Sequence, residues 1–575
     1  MKTHRDLNQP WLKSGALLLP RFHCLSACLF SCLFCCLFAC LHAFSLPVLA
    51  QDARDAREGR DDARSTLRIG MAADITSVDP HLSNISPNNQ IGWHVFEALT
   101  HVDDNARLVP GLASSWRAVD PRTWEFKLRA NVKFHDGTTL VAKDVLASIE
   151  RARKLANGQF AGFTRTIIAA EAPDALTVRL RTAAPYATLP HDLNSIFIIP
   201  ARLMNASSED FNAGRAMIGS GPWRFERYAR GDRVELSRFD GHREAARDAA
   251  RDPARDAARP SSWNKLVFRV LSNDPARSAA LLAGDVDIIE QVPPADLEKF
   301  NKNNNLSLSR KTSWRTIFLQ LDHSRERSPH ITDRKGGAIV NPLRDVRVRS
   351  AISKAINRAA IAARVMEGAA VPAAALVSPQ IFGHPPAKDL SPETFDADGA
   401  RKLLAEAGYP EGFNLTLHAP NNRYVNDDQV AQAVAQMLTR IGIITKVEVM
   451  PANVYFTRAR NGEFSVAMLG WGSFSADLAL RSLLMTPSAE KGLGTWNWGG
   501  YANPRLDQLI ERSLSTTEEA KREALAREAM LLAMRDHAAI ALHHQISTWA
   551  MRSGLKLQPR TDEYTLAGSL SWQRP

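Results

Sequence analysis

Residues 108–151, LVPGLASSWRAVDPRTWEFKLRANVKFHDGTTLVAKDVLASIER, set a strand, a tight turn and a helix in one fixed order. Trp124, Phe126 and Leu128 alternate with Glu125 and Lys127, so one face of a strand is apolar. Val132 and Phe134 continue that alternation. Asp136-Gly137 then closes a turn, because Gly reaches φ > 0 without steric cost. Val145, Leu146 and Ile149, followed by an Arg-rich face, read as an amphipathic helix. A chain that mixes these periods needs layers of both strand and helix.

The same mixture runs through the rest of the sequence. TLRIGMA (66–72) reads as a strand. Asp345 is placed to cap a helix carrying Val346, Val348, Ile352 and Ile356. Val430, Val434, Met437, Leu438 and Ile441 sit at helical spacing, and Gly442 follows as a stop signal. TKVEVM (445–450) and FSVAML (464–469) read as strands. About 500 residues of this kind exceed what one core can hold, so α/β lobes with partly parallel sheets are expected.

The N-terminus has the layout of an export signal. Lys2, Arg5, Lys13 and Arg21 stand against one acid, Asp6, and residues 24–41 are uncharged and almost wholly apolar. Val48 and Ala50 supply the −3 and −1 positions of a cut before Gln51. An uncleaved membrane anchor is the alternative, since 18 apolar residues is near the spanning limit. Leu25-Ser26-Ala27-Cys28 leaves lipidation open, although it comes early in the apolar run. All six cysteines (Cys24, Cys28, Cys32, Cys35, Cys36, Cys40) fall in this segment. A chain cut at Gln51 therefore has no disulfide, no thiolate nucleophile and no thiolate-bound metal.

The net charge of +11 becomes +8 on cleavage, with 68 basic and 60 acidic residues remaining. No basic run is interleaved with aromatics, so nucleic acid is not expected as a partner. Residues 51–65 are polar and read as a disordered leader. Residues 241–263 repeat an Ala-Arg-Asp theme interrupted by Pro253 and Pro260, and read as a solvated surface insertion.

The 108–151 block resembles the signature region of the family 5 extracellular solute-binding proteins, the dipeptide, oligopeptide and nickel-type receptors of ABC importers. Residues 219–242, 266–300, 341–370, 397–417 and 494–510 are similar to further family stretches, in the family's order. Val141 departs from the pattern, standing where the family often has Thr or Ser, so that helix start lacks a hydroxyl cap.

The resemblance implies a two-lobe periplasmic binding protein of the type II, Venus-flytrap kind with an extra subdomain. A signal peptide would occupy 1–50. The first lobe would comprise 66–104, 219–312 and 546–575. The extra subdomain would be 105–218, the second lobe 313–545. Two crossing strands would act as the hinge, and a solute would close the cleft. The implied function is non-catalytic: a monomeric receptor delivering a peptide or peptide-like solute to inner-membrane permease subunits, with ATP hydrolysed on separate subunits. No cofactor is implied.

The resemblance also points to site residues. Arg423, followed by Tyr424, lies near where dipeptide receptors hold a ligand carboxylate, once one gap is allowed. In Gly470-Trp471-Gly472-Ser473-Phe474-Ser475-Ala476-Asp477, Phe474 matches the position where peptide-binding relatives have an Asp for the ligand's amino group. Asp477 follows three residues later. Either Asp477 takes that role, or the amino group is absent or held differently. Asp477 also reads as a helix cap. Residues 475–481 are closer to the glutathione-binding branch, which suggests a small anionic or peptide-like ligand. Arg481 is a candidate partner for a ligand carboxylate or for an interlobe salt bridge. Trp471 and Trp496, with Trp498, are candidate cleft walls, and one of Trp496 and Trp498 is expected in the core.

Rival readings are a secreted enzyme and a metal or heme receptor. The chain has no Gly-x-Ser-x-Gly, no His-Glu-x-x-His and no phosphate-loop motif. His135-Asp136 reads as part of a hairpin turn and not as a catalytic pair. His543 and His544 are strand neighbours pointing to opposite faces, which is poor geometry for joint chelation. Nickel chelates, with help from His418 or His543, and heme or opine-like ligands remain alternatives.

Overall fold

The computed structural model describes residues 65–243, 263–488 and 492–573. The signal segment, the leader up to Arg64 and most of the 241–263 insertion lie outside the described residues.

Two long strands organise the architecture. Leu306–Leu321 and Ala539–Arg552 pair antiparallel for nearly their whole length. They sit in the middle of a twelve-stranded sheet. On one side follow Ile288–Glu290, Thr66–Met71, Lys265–Val270, Arg233–Arg238 and Trp223–Ala229. On the other lie Val466–Gly472, Phe413–Pro420 and Ile331–Thr332, with Ile443–Met450 paired to Phe413–Pro420. Thr66–Met71 pairs parallel with Lys265–Val270, and Phe413–Pro420 pairs parallel with Ile443–Met450.

The register of the two long strands shifts between Thr312 and Thr316. Thr312 faces Ile546 and Thr316 faces His544, so residues 313–315 oppose Gln545 alone. Extra residues on one strand bend a ladder and release its backbone groups. The interruption separates two packing regions. Leu67, Ile69, Met71, Phe268 and Trp549 share one core. Ile317, Leu319, Val348, Val430 and Leu542 share another.

A separate four-stranded sheet is built from Ala113–Asp120, Thr123–Leu128, Thr177–Thr182 and Ile167–Asp174. Trp124, Phe126 and Leu128 are buried against Val145 and Ile149 of the helix Ala142–Lys154, as their spacing requires. The strand stops at Leu128, however, short of Val132 and Phe134. Asn131 at φ 61° turns the chain there. Val132 and Phe134 are buried all the same, so burial was legible and strand length was not. Gly137 has φ 86°, and its N–H closes the turn onto Phe134 O at 2.9 Å. Val141 offers no side-chain cap, and Asp144 Oδ2 accepts from the Val141 N–H at 2.8 Å instead.

The Asp345 carboxylate caps Val346–Ala355 through the Arg347 N–H at 2.8 Å. Val348 and Ile352 are buried, whereas Val346 is 43% exposed, one position outside the apolar stripe. Helix Asp427–Arg440 buries Val430, Val434 and Leu438, and Gly442 follows at φ 101°.

Candidate functional site

The residues singled out from the sequence gather around the end of the Val466–Gly472 strand, but in separate groups. Side chains alternate across a strand, so Gly470 and Gly472 share a face and Trp471 takes the other. The two glycines leave room for rings. A Cβ on Gly470 would lie 2.6 Å from the Tyr424 ring, and one on Gly472 would lie 2.6 Å from Trp314 Nε1. The Tyr424 hydroxyl donates to Gly470 O at 3.2 Å.

Tyr424 belongs to a loop held by its neighbours. Asp427 Oδ2 accepts from the Arg423 and Tyr424 N–H groups at 2.9 and 3.0 Å. Asn426 adopts φ 52°, a left-handed conformation that Asn tolerates, and its amide donates to Val365 O at 2.8 Å. Burial pushes the Asp427 carboxyl up to about 6, against the pull of these N–H groups. The Arg423 guanidinium lies over the Tyr424 ring, 5.2 Å from its centre. Arg423 is exposed, and among the described residues its guanidinium has no hydrogen bond or ion pair. Its pKa is lowered, first by the surrounding protein and then by the nearby Arg315 charge.

Trp314 and Arg315 stand in the strand interruption. Arg315 pairs with Glu563, with Nη2 2.6 Å from Oε2, and Ser313 Oγ donates to Glu563 Oε1 at 2.7 Å. Trp314 packs 6.3 Å from both the Phe474 and Tyr564 rings. Among the described residues its buried Nε1 has no hydrogen-bond partner. Phe474 stacks on His191 at 5.4 Å and 15°. Trp314, Tyr564 and His191 were not singled out from the sequence. Trp314 leaves one local trace: an aromatic inside a polar stretch, 309–316, of an otherwise apolar strand.

Trp471 and Trp496 meet edge to face at 5.1 Å. Trp498 lies 4.7 Å from Trp496, and Phe456 packs 6.0 Å from it. All three tryptophans are half-buried, so the expected difference between Trp496 and Trp498 is not seen.

Asp477 is fully buried inside helix Ala476–Leu483. The N-cap position belongs to Ser475, not to Asp477. Arg522 grips Asp477 with Nε at 2.6 Å and Nη2 at 3.1 Å, and Ser475 Oγ donates at 2.6 Å. Burial works against this carboxylate, but the Arg522 charge and hydrogen bonds hold its pKa below the usual range. Arg481 reaches the 186–192 segment. It bonds the Tyr186 hydroxyl and lies 3.4 Å from Asp192 Oδ2. Burial lowers the Arg481 pKa to about 10 and raises that of Asp192. The Ala187 N–H donates to Leu514 O at 2.6 Å, a second bond between these segments.

The histidines lie elsewhere. His418 is stacked on Phe464 at 4.1 Å and fully buried. His543 is buried, and among the described residues neither of its ring nitrogens is bonded, while His544 Nδ1 bonds Thr316 Oγ1 at 2.9 Å. His135 bonds the backbone of Gly219 and Gly221, and Asp136 pairs with Arg202, so they form no dyad. Among the described residues, no group of three or more His, Cys, Asp or Glu could hold a metal ion.

Residues 107–488 match the bacterial extracellular solute-binding proteins, family 5 middle region. The glutathione-binding protein GsiB of Pectobacterium atrosepticum is 27% identical over 477 residues, covering 80% of this chain and 85% of that protein. The periplasmic binding protein DppA of Helicobacter pylori, solved with the peptide STSA, superposes with a TM-score of 0.72. It is 22% identical and covers 88% of this chain and 98% of that one. NikZ of Campylobacter jejuni, solved with Ni(L-His), gives 0.71 at 21% identity, covering 88% and 99%. The architecture is thus the two-lobe periplasmic binding protein fold. This chain belongs to the bacterial extracellular solute-binding proteins, family 5, a family of non-enzymatic binding proteins.

Proposed function

We propose that the protein is a periplasmic receptor that captures a peptide or peptide-like small solute and delivers it to inner-membrane permease subunits for import. The observation that carries this reading is Arg423, an exposed guanidinium that lies over the Tyr424 ring and, among the described residues, makes no hydrogen bond or ion pair. A guanidinium left free beside aromatic rings suits a ligand carboxylate, which it engages through two parallel N–H bonds. Arg423 would hold the solute's acid end. Tyr424, Phe474, Trp314 and Tyr564 would enclose its body.

The energies are consistent with that division. Micromolar affinity requires roughly −8 kcal/mol. One charge-assisted hydrogen bond supplies about 1.5–3 kcal/mol, so a two-pronged contact falls short and apolar enclosure contributes the rest.

The lobes would be 66–104 with 219–312 and 546–575, and 313–545, with 105–218 as the extra subdomain. The strand interruption at 313–315 supports a hinge there. The Arg481 contacts with Tyr186 and Asp192 would then tie the subdomain to the second lobe in the closed arrangement. Export would follow cleavage before Gln51, and N-terminal sequencing of the periplasmic protein tests it.

The experiment for the receptor role is calorimetric titration of the mature chain with a library of di- and tripeptides, alongside Arg423→Ala. Micromolar binding that weakens at least tenfold in the variant supports the reading. Binding unaffected by the substitution contradicts it.

A further inference from the structure

The groups around the proposed site at the end of the Val466–Gly472 strand differ in what they have left to offer a ligand. The carboxylates in contact with its side chains are engaged by protein donors. Glu563 is held by Arg315 and Ser313. Asp427 takes the N–H groups of Arg423, Tyr424 and Asp428. Asp477 is gripped by Arg522, and Asp192 accepts the Tyr186 hydroxyl at 2.5 Å beside Arg481.

The donors are not all used. Among the described residues the Arg423 guanidinium makes no hydrogen bond or ion pair beyond its contact with the Tyr424 ring, and Trp314 Nε1, which only donates, is buried without a hydrogen-bond partner. An unmet buried donor is costly, and a ligand acceptor relieves it. A desolvated ammonium group needs acceptors and a countercharge. Among the four carboxylates just described it would meet no unengaged acceptor, and it would face the like charge of Arg423.

We infer that the cleft selects carboxylic acids whose amino end is capped or absent, such as N-acylated peptides, over solutes with a free ammonium group. This rests on the reading of the cleft as a site for peptide-like solutes. Arg423 takes the carboxylate, and Trp314 donates to a second acceptor of the ligand. Asp428 is the exception to test. It is half-buried in the first turn of its helix, and among the described residues its carboxylate carries no hydrogen bond or ion pair.

The experiment uses the mature receptor and three matched libraries of di- and tripeptides: free, N-acetylated and C-amidated. Affinities are ranked by native mass spectrometry and measured by calorimetry. The expected result is that acetylated acids bind at least tenfold tighter than their free-amine counterparts, and that amides are lost. Trp314→Phe, which keeps the ring and removes the N–H, weakens the acetylated acids about tenfold, the equivalent of one hydrogen bond. Its melting temperature without ligand stays unchanged. Equal or tighter binding of free amines overturns the inference. So does a tenfold loss of free-amine binding in Asp428→Asn, which would identify an ammonium anchor. No retention from any library overturns the peptide-like reading itself, a result distinct from the other two.

Discussion

Replacing Arg522 by Ala separates a structural role for Asp477 from a ligand-binding one. Asp477 is 0% exposed, and the Arg522 side chain is 6% exposed. The Asp477 oxygens accept from Arg522 at 2.6 and 3.1 Å, from Ser475 Oγ at 2.6 Å and from the Leu478 N–H at 2.9 Å. Arg522 also lies over the Phe382 ring at 4.6 Å. Removing the cation leaves a buried carboxylate with no countercharge, which costs about 3–5 kcal/mol. For a cooperative unit of roughly 200 residues, this lowers the melting temperature by on the order of 10 °C.

The pH dependence has a definite sign. The folded-state pKa of Asp477 is lowered, so the pair's stabilisation is present above the unfolded carboxyl value of about 3.9 and is lost as pH falls through the folded one. The gap between wild type and variant is therefore widest near pH 7 and narrows as pH falls, because the buried, unpaired Asp477 carboxyl of the variant takes up its proton at a higher pH than the paired one. The assay is calorimetric melting of both proteins from pH 3.5 to 8, with Asp477→Asn/Arg522→Met as a neutral pair that recovers most of the loss. An Arg522→Ala protein that melts like wild type at pH 7 refutes the argument. Lost solute affinity in that stable variant would make the pair part of the ligand site.

Other outcomes follow from single contacts. Burial lowers the pKa of His94 and His543 to about 4, and of His101, His191 and His544 to about 3. Their stabilisation is present above the unfolded value of about 6.5 and is lost as pH falls toward 4, so the melting temperature drops steeply across that window. His543→Leu removes a buried, unbonded ring, and this variant is at least as stable as wild type at pH 7 and loses less on acidification. Gly470→Ala drives a methyl into the Tyr424 ring and Ile317, and costs about 1–3 kcal/mol in urea denaturation together with weaker solute binding. Trp496→Ala removes ring contacts with Trp471, Trp498 and Phe456, at about 0.5–1.5 kcal/mol each by the same assay.

Local chemistry was legible in the sequence wherever cause and effect lie close together. Asp345 caps the next helix, Gly137 closes its turn, and the 3.6-residue spacing of Val430, Val434 and Leu438 marks a buried face. The strand at Trp124 was also legible, but its end was not, because Asn131 turns the chain without a Gly or Pro to announce it. The site was less legible because its contacts span the chain. Asp477 meets Arg522 from 45 residues away, and Arg481 meets Tyr186 and Asp192 from nearly 300. Such partners come together only through sheet topology. Trp314 escaped notice because its significance depends on a register shift against a strand more than 200 residues later. Arg423 was found through resemblance alone, and its lack of a hydrogen bond or ion pair among the described residues is a property of the fold.

The most direct measurement of the receptor reading is native mass spectrometry of the mature chain, gently purified from the periplasm, for wild type and Arg423→Ala. The account predicts a small acidic adduct of peptide-like mass on the wild-type protein, absent or sharply reduced in the variant. An adduct of the same mass and occupancy on both proteins would contradict the assignment of Arg423 as the group that holds the solute.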